Sequence, residues 1–365
     1  MLESFLRILN GERSDEIVWT ADLTYWIDGQ KQAGTGQPDL NTEHGYLELC
    51  RSLGCMPFYW YDQATLGSPV YDGVEFVEES HGRRRVQSWQ TPVGEVRQES
   101  TYLPLTVSEA ITKYAVENED DLKVLLYILE HRRFELLNLD AYDRRAELWA
   151  EYDGLPLLMM PRSPVPALFV EWAGVQNAVF LMMDYPELAG RALDLMESQE
   201  RPILDAVCDH APSLVHFPDN LTSETFTGIF DEHMMDRYAR RLSGLHEAGA
   251  RVAVHLDGTV RGLLPKLAAV GFDAVEAITP APVGDVDVES MRQVAAEESL
   301  VLWGGVPGAM FAPPYGWPQM RAHVEGLIAA WSGTPFVIGV GDQVPPNGDI
   351  SMCRKIADMV KALSV

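Results

Sequence analysis

From about residue 154 onward, short apolar runs alternate with stretches whose apolar residues recur every three or four positions. The runs are LPLLMMP (155–161), LVHFPDN (214–220), RVAVHLDG (251–258), AVEAITP (274–280), VLWGGVP (301–307, extended by Leu300) and PFVIGVGD (335–342). Between them, Met320, Val324, Leu327 and Ile328, and then Met352, Ile356, Met359, Val360 and Leu363, keep helical spacing. Strand and helix in repeated alternation imply parallel pairing. Two earlier runs, IVWTAD (17–22) and MPFYWYD (56–62), with the helix-like EHGYLELCRSL between them, bring the strands to eight. Eight such units predict an α/β fold, a (β/α)8 TIM barrel.

One stretch breaks the alternation. In residues 70–107, GVEFVEES, RRRVQSWQ and GEVRQEST read as strands separated by the turn signals HGR and TPVG, an inserted antiparallel β-meander in the N-terminal part. It is expected to be a lid or a subunit contact, the latter in a homodimer. Helices are expected at about 119–132 and 139–151. No long linker or low-complexity segment interrupts the chain, so residues 1–365 parse as a single barrel domain.

Composition narrows the class of partner. The chain has 365 residues, 47% of them hydrophobic, which is enough for a large core, and no apolar run approaches the length of a membrane span. The N-terminal MLESFLRILNGERSDEI is amphipathic and lacks the basic flank and small-residue cleavage site of a signal peptide, so the expected location is the cytoplasm. Acidic residues number 54 against 28 basic, a formal charge of −26, which repels nucleic acid and polyanions. The four cysteines include no CxxC pair, so neither a disulfide framework nor a cysteine-rich zinc site is indicated.

Candidate chemistry gathers at the strand ends, where barrels place their active sites. Residues i and i+2 share one face of a strand, so His255 and Asp257 are expected to point together into the mouth. Glu276 lies inside an apolar strand with Ala274 and Ile278 as face-mates, and Asp342 closes the last strand in register with Ile338 and Val340. A lone His or Asp at a strand end is commonly a capping group. A Glu within an apolar strand is more informative, because an unpaired buried carboxylate costs several kcal/mol unless a cation or donors offset it. These four residues are the expected metal ligands. Trp19, Tyr25, Trp26, Tyr61, Asp62, His216, Trp172 and Trp303 are the expected substrate-binding groups, aromatics that suit a small aromatic molecule or else pack as core.

The succession PDNLTSETF, HLDGTVRGLLPKLAAVGFDAVEAITP, LVLWGGVP and VIGVGDQVPPNGDI resembles the uroporphyrinogen decarboxylase superfamily. That superfamily includes methyltransferases that move methyl groups between small substrates or coenzymes and corrinoid proteins. The resemblance is best from about 154 to 363 and weaker across 17–62. It implies a (β/α)8 barrel. Decarboxylases of the family carry an RQAGRY motif that grips carboxylates. Here the nearest string is KQAGTG (31–36), with Lys31, Thr35 and Gly36 at its arginine, second arginine and tyrosine, while Asp62 stands near the family's later aspartate. The methyltransferase branch holds zinc with His-x-Cys and a later Cys. At the matching places this chain has His255-Leu256-Asp257 and Asp342. Oxygen ligands replace both thiolates, a harder donor set that also suits other divalent ions.

What the resemblance implies is a methyltransferase of O-demethylase type. A divalent metal, zinc by family, would sit at His255, Glu276 and Asp342 with Asp257 beside them and polarise the oxygen of a methoxylated aromatic donor. Asp219 and Asn220 would position the substrate and Asp22 would serve as an acid. The methyl group would pass to a corrinoid (cobalamin) on a partner protein, since this chain has no cobalamin motif. The alternatives are a metal-independent decarboxylase or lyase of a small organic acid using Asp62 or Asp22, and a non-catalytic ligand-binding barrel.

Overall fold

The computed structural model describes residues 1–60, 69–135 and 138–363. The chain divides into two compact units: residues 1–65, 138–159 and 210–365 form the first, and residues 66–137 and 160–209 the second. None of the described helices is long and apolar enough to cross a membrane.

The first unit is built on a curled parallel sheet of seven strands: β1 (Trp19–Thr20), β2 (Leu158–Met159), β3 (Leu214–Leu221), β4 (Arg251–Leu256), β5 (Ala274–Ile278), β6 (Val301–Pro307) and β7 (Phe336–Gly341). Their order is β1-β7-β6-β5-β4-β3-β2. Residues 56–58 bond to Trp19 of the edge strand β1 on one side and to residues 155–157, which lead into β2, on the other. The Met56 N–H donates to the Trp19 carbonyl at 2.8 Å, and the N–H groups of Leu155 and Leu157 donate to the carbonyls of Pro57 and Phe58, each at 3.1 Å. Helices follow the strands, as the helical spacing of Met320–Ile328 and Met352–Leu363 requires; they run Trp317–Trp331 and Ser351–Leu363.

Alternation along the strands fixes what points inward. Leu214, Ala253, Ala274, Val301 and Val337 come from five neighbouring strands and meet Val18, Met56, Phe58 and Leu157 in one buried layer at the end where the strands begin. The helix Leu2–Leu9 closes that layer with Phe5, Ile8 and Leu9, spaced three and four apart so that they share one face. Phe5 meets Trp303 edge to face at 4.9 Å, and Phe58 lies 5.0 Å from the same ring. Trp303, placed by sequence among the substrate-binding aromatics, is therefore core. β6 continues to Pro307, so residue 303 belongs to the floor and not to the strand end. Its indole N–H donates to Thr20 Oγ1 at 2.8 Å. Gly339 makes room for that bond, because a Cβ there would lie 2.6 Å from Thr20 Oγ1.

The second unit contains the inserted sheet, which is longer than the sequence suggests. Four antiparallel strands, Glu75–His81, Arg84–Thr91, Gly94–Leu103 and Ser108–Lys113, pair in sequential order, and a further short pair joins Pro69–Tyr71 to Arg132–Phe134. The HGR signal makes the first hairpin, with Gly82 at φ +64°, and TPVG the second, closed by Thr91 opposite Gly94. The fourth strand escaped the sequence reading because SEAITK is short and largely exposed. Helices Glu119–Glu130 and Leu139–Ala150 lie where helical patterns were expected, the second of them in the first unit.

Candidate active site

One layer above the floor, on the same inward face, stand His216, His255 and Glu276. They follow the inward residues Leu214, Ala253 and Ala274 by two on β3, β4 and β5, so all three share the inward face of adjacent strands; in register His216 pairs with Ala253, one inward position before His255. His255 and Glu276 are register partners. His255 Nδ1 lies 2.6 Å from Glu276 Oε2, and His216 Nε2 lies 3.3 Å from the same oxygen. One potential ligand atom from each residue falls within 4.8 Å of the others.

Glu276 is 4% exposed and His216 3%. Burial disfavours a charged Glu276 and a charged His255, yet each is held charged by the other. The His255 charge and the hydrogen bonds from His216 and His255 lower the Glu276 pKa. The charge and hydrogen bond of Glu276, helped by Asp342 and Asp257, raise that of His255. His216 Nδ1 is buried and has no hydrogen-bond partner among the described residues, so the imidazole is only half satisfied by the protein. Two imidazoles and a carboxylate on rigid strands form the His2Glu donor set of catalytic zinc sites, which leaves a further position open. The residues present therefore fit a divalent metal.

Asp342 stands on the far side of His255, its Oδ1 3.8 Å from Nε2, with more than half of its side chain exposed. It faces the ring nitrogen that Glu276 does not, the place of a carboxylate that orients an imidazole. Register with Ile338 and Val340 is not what brings it here. Val337 points inward, and Gly341 does too, since a Cβ there would meet the Thr279 hydroxyl. Strict alternation would turn Asp342 outward. Its left-handed backbone, φ +69°, breaks the alternation just past the strand.

Asp257 does not share the buried face of His255. β4 ends at Leu256, the Asp257 N–H donates to the Leu221 carbonyl, and the exposed Asp257 carboxylate meets the Asn220 amide at 3.5 Å. Asn220 is thus at this rim. Asp219 is not: it shares the outward face of Phe217, is fully buried, and accepts a hydrogen bond of 2.6 Å from the Tyr238 hydroxyl. A role in positioning substrate gives way to a structural one.

Asp22 lies just past β1. Its carboxylate accepts from the Thr24 N–H at 2.8 Å, the Thr24 hydroxyl at 2.5 Å and the Gln343 amide at 2.9 Å. Its carbonyl accepts from the Val344 N–H, which ties it to the chain following Asp342. Burial dominates these bonds and, with the charge of Asp342, pushes the Asp22 pKa up to about 7. Gln343 and Thr24 were not picked out from the sequence. The D-x-T spacing at the head of helix Thr24–Ala33 is a readable local turn, whereas Gln343 carries no such signal. Tyr25 and Trp26 are half-buried on the first turn of that helix, the Trp26 indole donating to the Gly348 carbonyl. Trp19 alternates with the inward Thr20 and turns outward, beside Gly54, Ala357 and Val360, so it is not a mouth residue. Trp172 belongs to the second unit, where its ring packs 5.3 Å from Trp89. Tyr61 and Asp62 lie outside the described residues.

The sequence model of uroporphyrinogen decarboxylase (URO-D) matches residues 151–363, the stretch that holds β2 to β7 and all three clustered residues. The chain belongs to the uroporphyrinogen decarboxylase family. No curated protein sequence matches it. Among solved structures, a methyltransferase from Methanosarcina mazei is similar over 99% of this chain and 98% of its own, at 14% identity and a TM-score of 0.62. That likeness is one of fold. A B12-independent methionine synthase from Shewanella sp. W3-18-1, solved in complex with selenomethionine, aligns over 94% of this chain and 97% of its own, at 9% identity and a TM-score of 0.49.

Proposed function

We propose that the protein is a methyltransferase that takes the methyl group of a small methoxylated aromatic donor and delivers it to a corrinoid carried by a partner protein. The observation that supports this reading is the buried cluster of His216, His255 and Glu276, in a family fold shared with a solved methyltransferase. A zinc ion held by those three residues would supply Lewis acidity to the donor oxygen. The methyl–oxygen bond breaks with its electron pair left on oxygen, and the methyl group leaves on the cobalt nucleophile of the partner. His216, His255 and Glu276 would hold the ion, and Asp342 holds the His255 ring in orientation. Asp22 carries a proton near neutral pH, which it can release toward the departing oxygen through the Thr24 and Gln343 side of the mouth.

The test is metal content followed by turnover. Protein purified without chelator and supplied with zinc should hold about one ion per chain. It should form methylcobalamin from a methoxyarene and cob(I)alamin. His216→Ala, His255→Ala and Glu276→Gln should each lose the metal and the transfer while keeping the circular dichroism of the fold. Absence of metal in the native protein, together with full activity of these variants, would show that the cluster is only a hydrogen-bonded group.

A further inference from the structure

The segments that follow six strands of the first unit are short of positive charge. Across residues 22–26, 222–234, 257–263, 279–287, 308–316 and 342–350 there are nine Asp or Glu residues and a single Lys or Arg, Arg261. Arg261 is already engaged. It lies against Asp285, with Nε 3.8 Å from Oδ2 and Nη2 bonded to the Asp285 carbonyl, and its side chain is 74% exposed. Asp285 is also tied down, accepting from the Val260 N–H at 2.7 Å.

The groups nearest the cluster tell the same story. Glu276, Asp342 and Asp257 all act electrostatically on His255. Glu276 and Asp342 face the His255 ring at 2.6 and 3.8 Å and Asp257 stands at the rim against Asn220, so the summed charge of the three carboxylates exceeds that of one imidazolium or one divalent ion. Along those six segments a carboxylate on the substrate would meet no guanidinium or ammonium other than the already engaged Arg261, and its desolvation would go uncompensated there. The site itself rests on a separate observation, the buried His216 imidazole whose Nδ1 has no partner among the described residues.

We infer that the methyl donor carries a positively charged substituent and no carboxylate: a methoxylated arene bearing an ammonium group. The methoxy group rests on the methyl-transfer reading above, and the charge rests on the electrostatics of the mouth alone. Uncompensated carboxylates at the rim attract an ammonium at long range and hold it by hydrogen bonding once bound. Asp342 and Asp257 are the two exposed carboxylates nearest His255 and are the natural partners.

Three probes on one skeleton separate charge from shape: 4-methoxyphenethylamine, 4-methoxyphenethyl alcohol and 3-(4-methoxyphenyl)propanoate. Binding of each to the full-length, zinc-supplied protein is measured calorimetrically at low salt and again with added sodium chloride, and methyl transfer to cob(I)alamin is followed in parallel. The amine should bind at least about tenfold more tightly than the alcohol, and the propanoate more weakly than either. Added salt should narrow the gap. Asp257→Asn should cut the advantage of the amine about threefold while leaving the alcohol unchanged, and Asp342→Asn should cut the ratio of amine to alcohol binding by a similar factor. An amine that binds best without yielding methylcobalamin upholds the charge inference and overturns the methyl-transfer reading. A propanoate that binds as tightly as the amine, three probes that bind alike, or three that do not bind at all, overturns the inference.

Discussion

Asp22→Asn tests the electrostatics of the mouth through folding alone. In the native protein this carboxyl is 4% exposed, accepts three hydrogen bonds from neutral donors and has no cation beside it in its bonding set. It keeps its proton up to about pH 7, whereas the unfolded chain releases it near the ordinary value of 3.8. Between those values the native state binds more protons than the unfolded state, so the stability this group contributes is present below pH 3.8 and is lost as pH rises through 7. The interval spans about three pH units, and at about 1.4 kcal/mol per unit the loss is on the order of 4 kcal/mol. Asn keeps the shape and the acceptor for Thr24, and the Gln343 amide can turn to present its oxygen to the new NH2 group. The variant should match the wild type near pH 4 and exceed it by up to about 4 kcal/mol at pH 8, with the difference opening through the interval. Urea unfolding followed by tryptophan fluorescence, with both proteins run at each pH, gives that difference directly. The charge of −26 makes both proteins depend on pH, and this common part cancels in the comparison. A difference that is flat with pH, or that favours the wild type at pH 8, refutes the reasoning.

Other outcomes check the remaining assignments. Tyr238→Phe removes a hydrogen bond to the fully buried Asp219 and should cost about 1–3 kcal/mol with kcat unchanged; a selective loss of turnover with unaltered stability would restore Asp219 to the chemistry. Phe5→Ala empties part of the floor beside Trp303 and should cost about 3–5 kcal/mol, seen as a lower melting temperature, with metal stoichiometry at room temperature unaffected. Gly339→Ala forces a methyl group against Thr20 and should disturb the Trp303 environment, read as a shift in tryptophan emission; an unshifted spectrum would mean that the strand absorbs the methyl group without cost.

Much of the fold was legible because its signals are local. Alternation of apolar runs with helical spacing located the parallel strands, and Gly82 and the TPVG turn located two hairpins. The site was legible only in part. Glu276 stood out as an acid among apolar neighbours, and its register with His255 follows from their adjacent strands. His216 was noticed as a polar strand residue, but bringing its ring to Glu276 requires knowing that β3 lies beside β4 and that residue 216 faces inward there, which local spacing does not tell. Counting from each strand's end, as sequence invites, gives the wrong height for Trp303 and the wrong face for Asp219 and Trp19. Asp342 reaches His255 by one left-handed residue, which no spacing rule foretells. Inward or outward direction is set by where a strand starts in the stack, and the sequence marks that origin weakly.

The floor has a further consequence, for the order in which the chain can become a protein. Its plug comes from residues 5, 8 and 9, yet the ring that Phe5 touches is residue 303 and another part of the same layer is Val337. The helix Leu2–Leu9 cannot complete its seat until Trp303 and Val337 have been made. Until then Phe5, Ile8 and Leu9 must stay exposed or find transient cover. Contacts this distant in sequence carry a large loop-closure cost and make for slow folding. The short helix thus ties residues 5, 8 and 9 to strands made some three hundred residues later, and its full seat exists only when those strands are in place.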